Sequence, residues 1–120
     1  MADESARELK LFQTSPIALR FVAPSRAYAS MMHGHSTMMI ELILVSETPN
    51  GWKLLEEYER RLREFGARPH WGQYNTLGAD RARLEELYPS WGSWLKAHER
   101  FNASGVFDSE FTDRIGIARR

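Results

Sequence analysis

The chain has 120 residues with 42% hydrophobic and 27% charged side chains, and its 16 basic side chains are matched by 16 acidic ones. This length fits one domain around a single core, and the balanced charge argues against a general surface for nucleic acid or acidic membranes. Because the chain contains no cysteine, disulfides, thiolate metal sites and a cysteine nucleophile are excluded.

The N-terminal residues do not resemble a targeting signal. The first ten residues, MADESARELK, are polar and acidic and lack the apolar centre of a secretory signal. No apolar run approaches the roughly 18 residues that a membrane-spanning helix needs. We therefore expect a soluble, cytoplasmic protein without a transmembrane segment.

The first half of the chain predicts a short helix over residues 3–12 and then two strands. The run SPIALRFVAPS (15–25) has prolines near both ends, and alternation puts Ile17, Leu19 and Phe21 on one face and Arg20 on the other. The run STMMIELILVSE (36–47), with Glu41 in its middle, predicts the strongest strand. Because this run is apolar on both faces, we expect other layers to cover both sides. Between the strands, YASMMHGH (28–35) predicts a loop.

The second half predicts helices. The turn TPNG (48–51) opens a helix over 52–65, which Gly66 ends as a C′ residue. Its apolar side chains recur at helical spacing: Trp52, Leu55, Tyr58, Leu62 and Phe65. Residues 78–105 predict two short helices separated near Pro89, and residues 106–117 close the chain with aromatic anchors. The whole pattern predicts a single α+β domain: a small antiparallel sheet with helices packed on it and a C-terminal helical segment.

Three short motifs have simpler explanations than catalysis. The pair of imidazoles in HGH (33–35) has no third ligand nearby in sequence, so no metal site is predicted. Asn102-Ala103-Ser104 matches a glycosylation pattern, but in this context it indicates the end of a helix. Trp91 and Trp94 stand at helical spacing, which favours packing in the core.

The stretch RPHWGQYNTL (68–77) is unusual for a loop. It places an imidazole, an indole and a carboxamide side by side just after a charged helix, although tryptophan and histidine usually need burial or a hydrogen-bond partner. We interpret it as a loop that faces a ligand. With His70 and Gln73 of this loop, Arg20 and Glu41 are the polar residues that stand out, and a purely structural ion pair between the two strand residues is the competing interpretation.

A family resemblance rests on these same segments. RPHWGQYNTL, LEELYPSW and FNASGVFDSEFTDRIG resemble the C-terminal signature of the sugar-lactone and alditol oxidases, flavoenzymes of the vanillyl-alcohol-oxidase type that include D-arabinono-1,4-lactone oxidase and L-gulonolactone oxidase. The strand PIALRFVAPSRAYAS is similar to the family's P-x-E-x-R-F strand. The resemblance covers about residues 15–117.

The resemblance implies that residues 1–120 are the substrate-side, C-terminal part of an FAD-dependent oxidoreductase acting on CH-OH groups. The family's N-terminal FAD-binding domain is absent from this sequence, so FAD would be held by a separate domain or subunit in trans, and the substrate would be a small alcohol or lactone. Two other interpretations stay open. The chain is a catalytically inactive, stand-alone interaction or ligand-binding module that covers its exposed surface by self-association, or it is a truncated gene product.

The resemblance also implies roles for individual residues. The catalytic candidates are Arg20, Glu41 and Gln73, and the cofactor-binding candidates are His70, Trp71 and Gly72. Where the family carries a glutamate and a lysine, this chain has Ala18 and Gln73, and the family's hydroxyl-bearing strand residue falls at Ile43. We therefore expect a substrate less polar than a polyol, or a loss of activity. Glu41 could supply the missing carboxylate if its strand lies beside Arg20.

Overall fold

The computed structural model describes Arg7 and residues 12–119. These residues form a two-stranded sheet and a series of helices, which confirms the predicted α+β class. The strands are β1 (Ala18–Val22) and β2 (Thr37–Glu41), and the helices are α1 (Gly51–Arg63), α2 (Arg81–Leu87), α3 (Trp91–Phe101) and α4 (Glu110–Arg114). The helix predicted over residues 3–12 lies, except at its last residue and Arg7, outside the described residues. None of the described helices is both long and apolar enough to cross a membrane.

The two strands pair antiparallel, with Ala18 opposite Glu41 and Val22 opposite Thr37. β2 is shorter than the predicted strand because its pairing ends at Glu41. Beyond that point side chains take over the backbone hydrogen bonds: Gln13 Nε2 donates to the carbonyl of Ile43 at 2.7 Å, and the Val45 amide donates to Thr14 Oγ1 at 2.7 Å. Residues 42–45 therefore follow the sheet as a segment held by side-chain hydrogen bonds instead of strand pairing.

The expectation that other layers cover both faces of the second strand is wrong for the described residues. Met38 of β2 is 49% exposed, and Ile43 and Val45 in the segment after β2 are 53% and 60% exposed. The helix α1 is the reason, since its buried side chains Leu54 and Tyr58 pack on Leu42 and Leu44 beyond the end of β2. The antiparallel pair of β1 and β2, which we call the hairpin, is left largely uncovered.

Helix α1 buries only part of the predicted stripe. Tyr58 of that stripe is buried together with Gly51 and Leu54, whereas Trp52 and Phe65 are 64% and 73% exposed. The position of Leu42 and Leu44, on which Leu54 and Tyr58 pack, determines which face is buried. The predicted end of the helix is confirmed, because Gly66 has φ 70° and the amides of Gly66 and Ala67 bond back to the carbonyls of Arg63 and Leu62, as in a Schellman motif.

The main core belongs to the C-terminal half of the chain. Tyr88 and Trp91 are almost fully buried where α2 meets α3, and Trp94 stacks on Trp91 with 4.7 Å between ring centroids. The prediction that Trp91 and Trp94 serve packing is confirmed. The remaining buried members of this cluster are Leu77, Leu84, Leu87, Leu95 and Ile115. This core is a rigid base from which the loop 68–77 emerges.

The core makes Ile115, just beyond α4, a stability test. Ile115 is 2% exposed, so Ile115→Ala should lower the free energy of unfolding by about 2–5 kcal/mol through lost burial and a residual cavity. The matched control is Val106→Ala, because Val106 is 69% exposed and its truncation should change stability by less than about 0.5 kcal/mol. Urea unfolding followed by tryptophan fluorescence measures both, and equal effects would contradict the assigned core.

Candidate functional site

An open cleft of about 1000 Å³ runs along β2 and its extension, between this segment, α1 and the loop 68–77. Glu41, His70 and Gln73 are among the residues that line it. Its apolar lining comes from both sides, including Ile40 of β2 and Leu55 of α1. Three of the predicted site residues therefore face one shared space, which we call the cleft.

Arg20 lies at the edge of the cleft, where it forms an ion pair with Glu41. Its Nε lies 2.8 Å from Glu41 Oε1 and its Nη2 donates to Glu41 Oε2 at 3.1 Å, a two-point contact across the ladder. The two side chains are 67% and 36% exposed. An exposed pair adds at most about 1 kcal/mol to stability, so the main effect of this geometry is to fix the direction in which the guanidinium points.

His70 is exposed and held in one orientation by its own loop. Its Nδ1 accepts a hydrogen bond from the Gly72 amide at 3.0 Å, which assigns the ring proton to Nε2. Within the described residues neither Nε2 of His70 nor the side-chain amide of Gln73 has a hydrogen-bond partner. A Cβ at position 72 would lie 3.4 Å from His70 Cε1, so the glycine brings the backbone close to the imidazole. The loop thus presents two unpartnered polar groups to the cleft.

Trp71 points the other way, into the core. Its indole N–H donates to the carbonyl of Ala29 at 2.8 Å, and its ring stacks on Trp91 at 5.8 Å and packs against Tyr88 at 4.9 Å. Trp71 does not line the cleft. Its predicted contact with the cofactor stays a prediction, whereas its packing makes it the anchor that fixes the loop on the core.

Arg68 lies beside the predicted site residues, although the sequence analysis did not single it out. Its Nη1 donates to the carbonyls of Met31 at 3.1 Å and His33 at 3.3 Å, and its guanidinium lies 5.3 Å from the centre of the Tyr88 ring. Arg68 also lines the cleft. In the sequence, only its position at the start of the RPHWG motif, two residues before His70, points to a role at this site.

Asn75 and Arg114 were also missed, and they shape the loop that carries His70. The buried Asn75 donates from Nδ2 to the carbonyls of Gln73 at 2.9 Å and His70 at 3.3 Å. Arg114 of α4 donates from Nη1 to the carbonyl of Asn75 at 2.7 Å, to its Oδ1 at 3.1 Å and to the carbonyl of Leu77 at 2.9 Å. We call Asn75 and Arg114 together the amide clamp.

Helix α1 holds the far end of the loop. Tyr74 donates its hydroxyl proton to Glu56 Oε1 at 2.7 Å, and Thr76 donates its amide proton to Glu59 Oε2 at 2.8 Å. Burial, together with the Glu56 carboxylate, raises the pKa of Tyr74 to about 12. At neutral pH Tyr74 therefore stays protonated and remains a donor that ties the loop to the helix.

The two histidines of the HGH motif go to different partners. His33 Nε2 lies 3.0 Å from Ser90 Oγ, and His35 Nδ1 lies 3.2 Å from Thr37 Oγ1. In the part of the chain that the structure describes, no three histidine, aspartate or glutamate side chains converge on a position that could hold a metal ion. His33 instead ties the 28–35 loop to the start of α3.

Comparison with known proteins agrees with this arrangement of motifs. The family described as D-arabinono-1,4-lactone oxidase matches residues 2–115. The chain belongs to this family. It is similar to L-gulono-1,4-lactone dehydrogenase of Mycobacterium tuberculosis, with 29% identity over 102 residues that make up 83% of this chain and 23% of the relative. No solved structure matches the chain.

Two further relatives show the range of the family. A long-chain alcohol oxidase of an uncultured marine euryarchaeote is 31% identical over 106 residues, 83% of this chain and 22% of the relative. L-gulonolactone oxidase 5 of Arabidopsis thaliana is 31% identical over 107 residues, 82% of this chain and 17% of the relative. The chain thus spans about a fifth of the length of these curated relatives and corresponds to their C-terminal region. Their names are those of oxidases and a dehydrogenase.

The amide clamp yields a prediction about His70. Asn75→Ala removes the donors to the carbonyls of His70 and Gln73 and should destabilise the chain by about 1–3 kcal/mol. It should also shift the NMR signals of the Gly72 amide and the His70 ring, because their mutual hydrogen bond depends on the turn. The control is Asn102→Ala, a change at another buried, hydrogen-bonded asparagine, which should cost similar stability without moving these signals. Equal shifts in both variants would contradict a specific clamp.

Proposed function

We propose that this chain forms the substrate-side wall of an FAD-dependent oxidoreductase acting on CH-OH groups, with FAD held by a flavin-binding domain or subunit supplied in trans. The observation that carries the proposal is the Arg20–Glu41 pair at the edge of a cleft that His70 and Gln73 also line. Family membership adds support, since the homologues are FAD-dependent oxidoreductases.

The register of the hairpin supports a catalytic interpretation of the ion pair. Ala18 occupies the position where the resemblance expects a glutamate, and Glu41 is its direct partner on β2. Side chains of directly opposed residues lie on the same face, so Glu41 shares the face of Ala18 and Arg20, and its carboxylate contacts Arg20. We infer that Glu41 supplies the carboxylate that Ala18 does not provide.

The roles of the residues follow from their geometry. Two of the nitrogens of the Arg20 guanidinium bind Glu41, and its remaining N–H groups can bind the substrate oxygen and stabilise the negative charge that develops there. Glu41 positions the guanidinium. His70 Nε2–H and the Gln73 amide, which have no partner among the described residues, are available to bind polar atoms of the isoalloxazine ring or of a substrate hydroxyl. A bound FAD supplies the hydride acceptor for the substrate C–H bond.

The polarity of the cleft supports a substrate with few hydroxyls. Gln73 carries no charge, and Ile43 and Leu55 contribute apolar lining where a polyol would need hydrogen-bond partners. A relative of comparable similarity is named a long-chain alcohol oxidase. We propose a simple alcohol or a weakly polar lactone as the substrate.

Reconstitution tests the proposal. When the chain is co-expressed with the polypeptide encoded immediately upstream of it, the two should co-purify as a yellow complex. Under anaerobic conditions a simple alcohol or a lactone should bleach the flavin absorbance, because hydride transfer reduces FAD. A complex that is colourless, or whose flavin no such substrate reduces, would favour the inactive interaction module. Two separate, monodisperse proteins would contradict the supply of FAD in trans.

The ion pair provides a second, residue-level test in the same complex. Arg20→Lys should lower the rate of flavin reduction about 10²–10³-fold, because the fork of donors at the developing charge is lost. Glu41→Gln should lower the rate less, and the double variant should lose less than the product of the two single losses since the residues act together. The control is Arg81–Glu85 on α2, another exposed ion pair, where the same substitutions should leave the rate unchanged. Unchanged rates in Arg20→Lys would remove the pair from the site.

A further inference from the structure

An apolar face of the hairpin is open to solvent. Leu19 lies opposite Ile40 and Phe21 opposite Met38, so these four side chains share one face of the sheet, which we call the hairpin face. Phe21 is 83% exposed, Leu19 54% and Met38 49%. A contiguous apolar surface of this kind is typical of a site where another polypeptide packs.

The described residues offer nothing that covers the hairpin face. Helix α1 uses its buried side chains on Leu42 and Leu44, and the helices α2 to α4 pack around Trp91. Within the described residues the sheet ends after two strands, so each strand keeps one free edge. A two-stranded hairpin is at best marginally stable in water. Further apolar side chains must therefore come from outside these residues.

We propose that the hairpin face is the surface on which the FAD-binding polypeptide docks, an inference that rests on the proposed function. The matched segment makes up only 17–23% of the length of the three relatives named above, so about four-fifths of each of these chains is present to cover the equivalent strands. A second copy of this segment is not needed for that. The occupant is thus the polypeptide that corresponds to the remainder of those relatives, packing apolar side chains against Phe21 and Leu19.

The position of the hairpin face explains how docking would complete the site. Leu19 and Phe21 lie outside the lining of the cleft, whereas Met38 and Ile40 belong to it. A polypeptide that packs on Leu19 and Phe21 therefore adjoins the cleft. Arg20 and Glu41, on the opposite face of the same strands, would gain support indirectly, because the docked partner stabilises the strands that carry them.

The test measures association separately from turnover. Phe21→Thr and Leu19→Thr introduce β-branched side chains, which favour strands, and remove most of the apolar area. Each should weaken binding to the co-expressed flavin-binding polypeptide by about 30-fold or more, as loss of an interface anchor does. Thermal unfolding of the isolated chain should change little, because both side chains are largely exposed. The matched control is Phe101→Gln on α3, an aromatic residue that is 70% exposed, and it should bind as the native chain does.

The outcomes separate this inference from the proposed function. Native binding by Phe21→Thr and Leu19→Thr would overturn the docking surface while leaving the function intact. Selective loss of binding in a complex whose flavin no alcohol or lactone reduces would support the docking surface and defeat the function. Failure of the native chain to bind the flavin-binding polypeptide would overturn both. If sedimentation instead shows a dimer of the chain that Phe21→Thr dissociates, the occupant is a second copy and the inference is wrong.

Discussion

The orientation of His70 depends on the contact between Asn75 and Arg114. The Asn75 side chain donates to the carbonyls of His70 and Gln73, while its own oxygen and backbone carbonyl accept from the Arg114 guanidinium. Stacking of Trp71 on Trp91 holds the same loop from the other side. Surface loops are usually mobile, and these two contacts restrain this one. The helical core therefore determines where the polar groups of the cleft lie.

The hairpin, unlike the helical core, is poorly buried. Its ion pair is well formed, yet Phe21 and Leu19 on its other face are exposed, and α1 packs beyond the strands instead of on them. Since burial of apolar surface is the main favourable term in folding, the core around Trp91 supplies most of the stability of the described residues and the hairpin little. Half of the candidate site thus adjoins the main core, and under the proposed docking the other half would gain its support from a partner.

The features that the sequence predicted well are those set by neighbouring residues in the chain. The position of Gly66 as a helix terminator, the break near Pro89 and the packing role of Trp91 follow from spacing and backbone preference. The face that α1 buries was predicted only in part, because the position of Leu42 and Leu44 determines it. The direction of Trp71 was equally hidden. An indole in a loop can face a ligand or a core, and only the tertiary position of Tyr88 and Trp91 selects the core.

Contacts between residues far apart in the sequence are also hard to predict, as Arg114 and Glu41 show. Arg114 binds Asn75 across 39 residues, and no local pattern marks such a pair. For Glu41, alternation assigns a face within each strand, but it does not fix the register between strands joined by a long loop. A shift of one residue would turn Glu41 to the face opposite Arg20. The observed register, with Glu41 opposite Ala18, places a carboxylate beside the arginine. An exposed ion pair contributes little to stability, so the main effect of this contact is to set the direction of the Arg20 guanidinium, which is the property on which the proposed function rests.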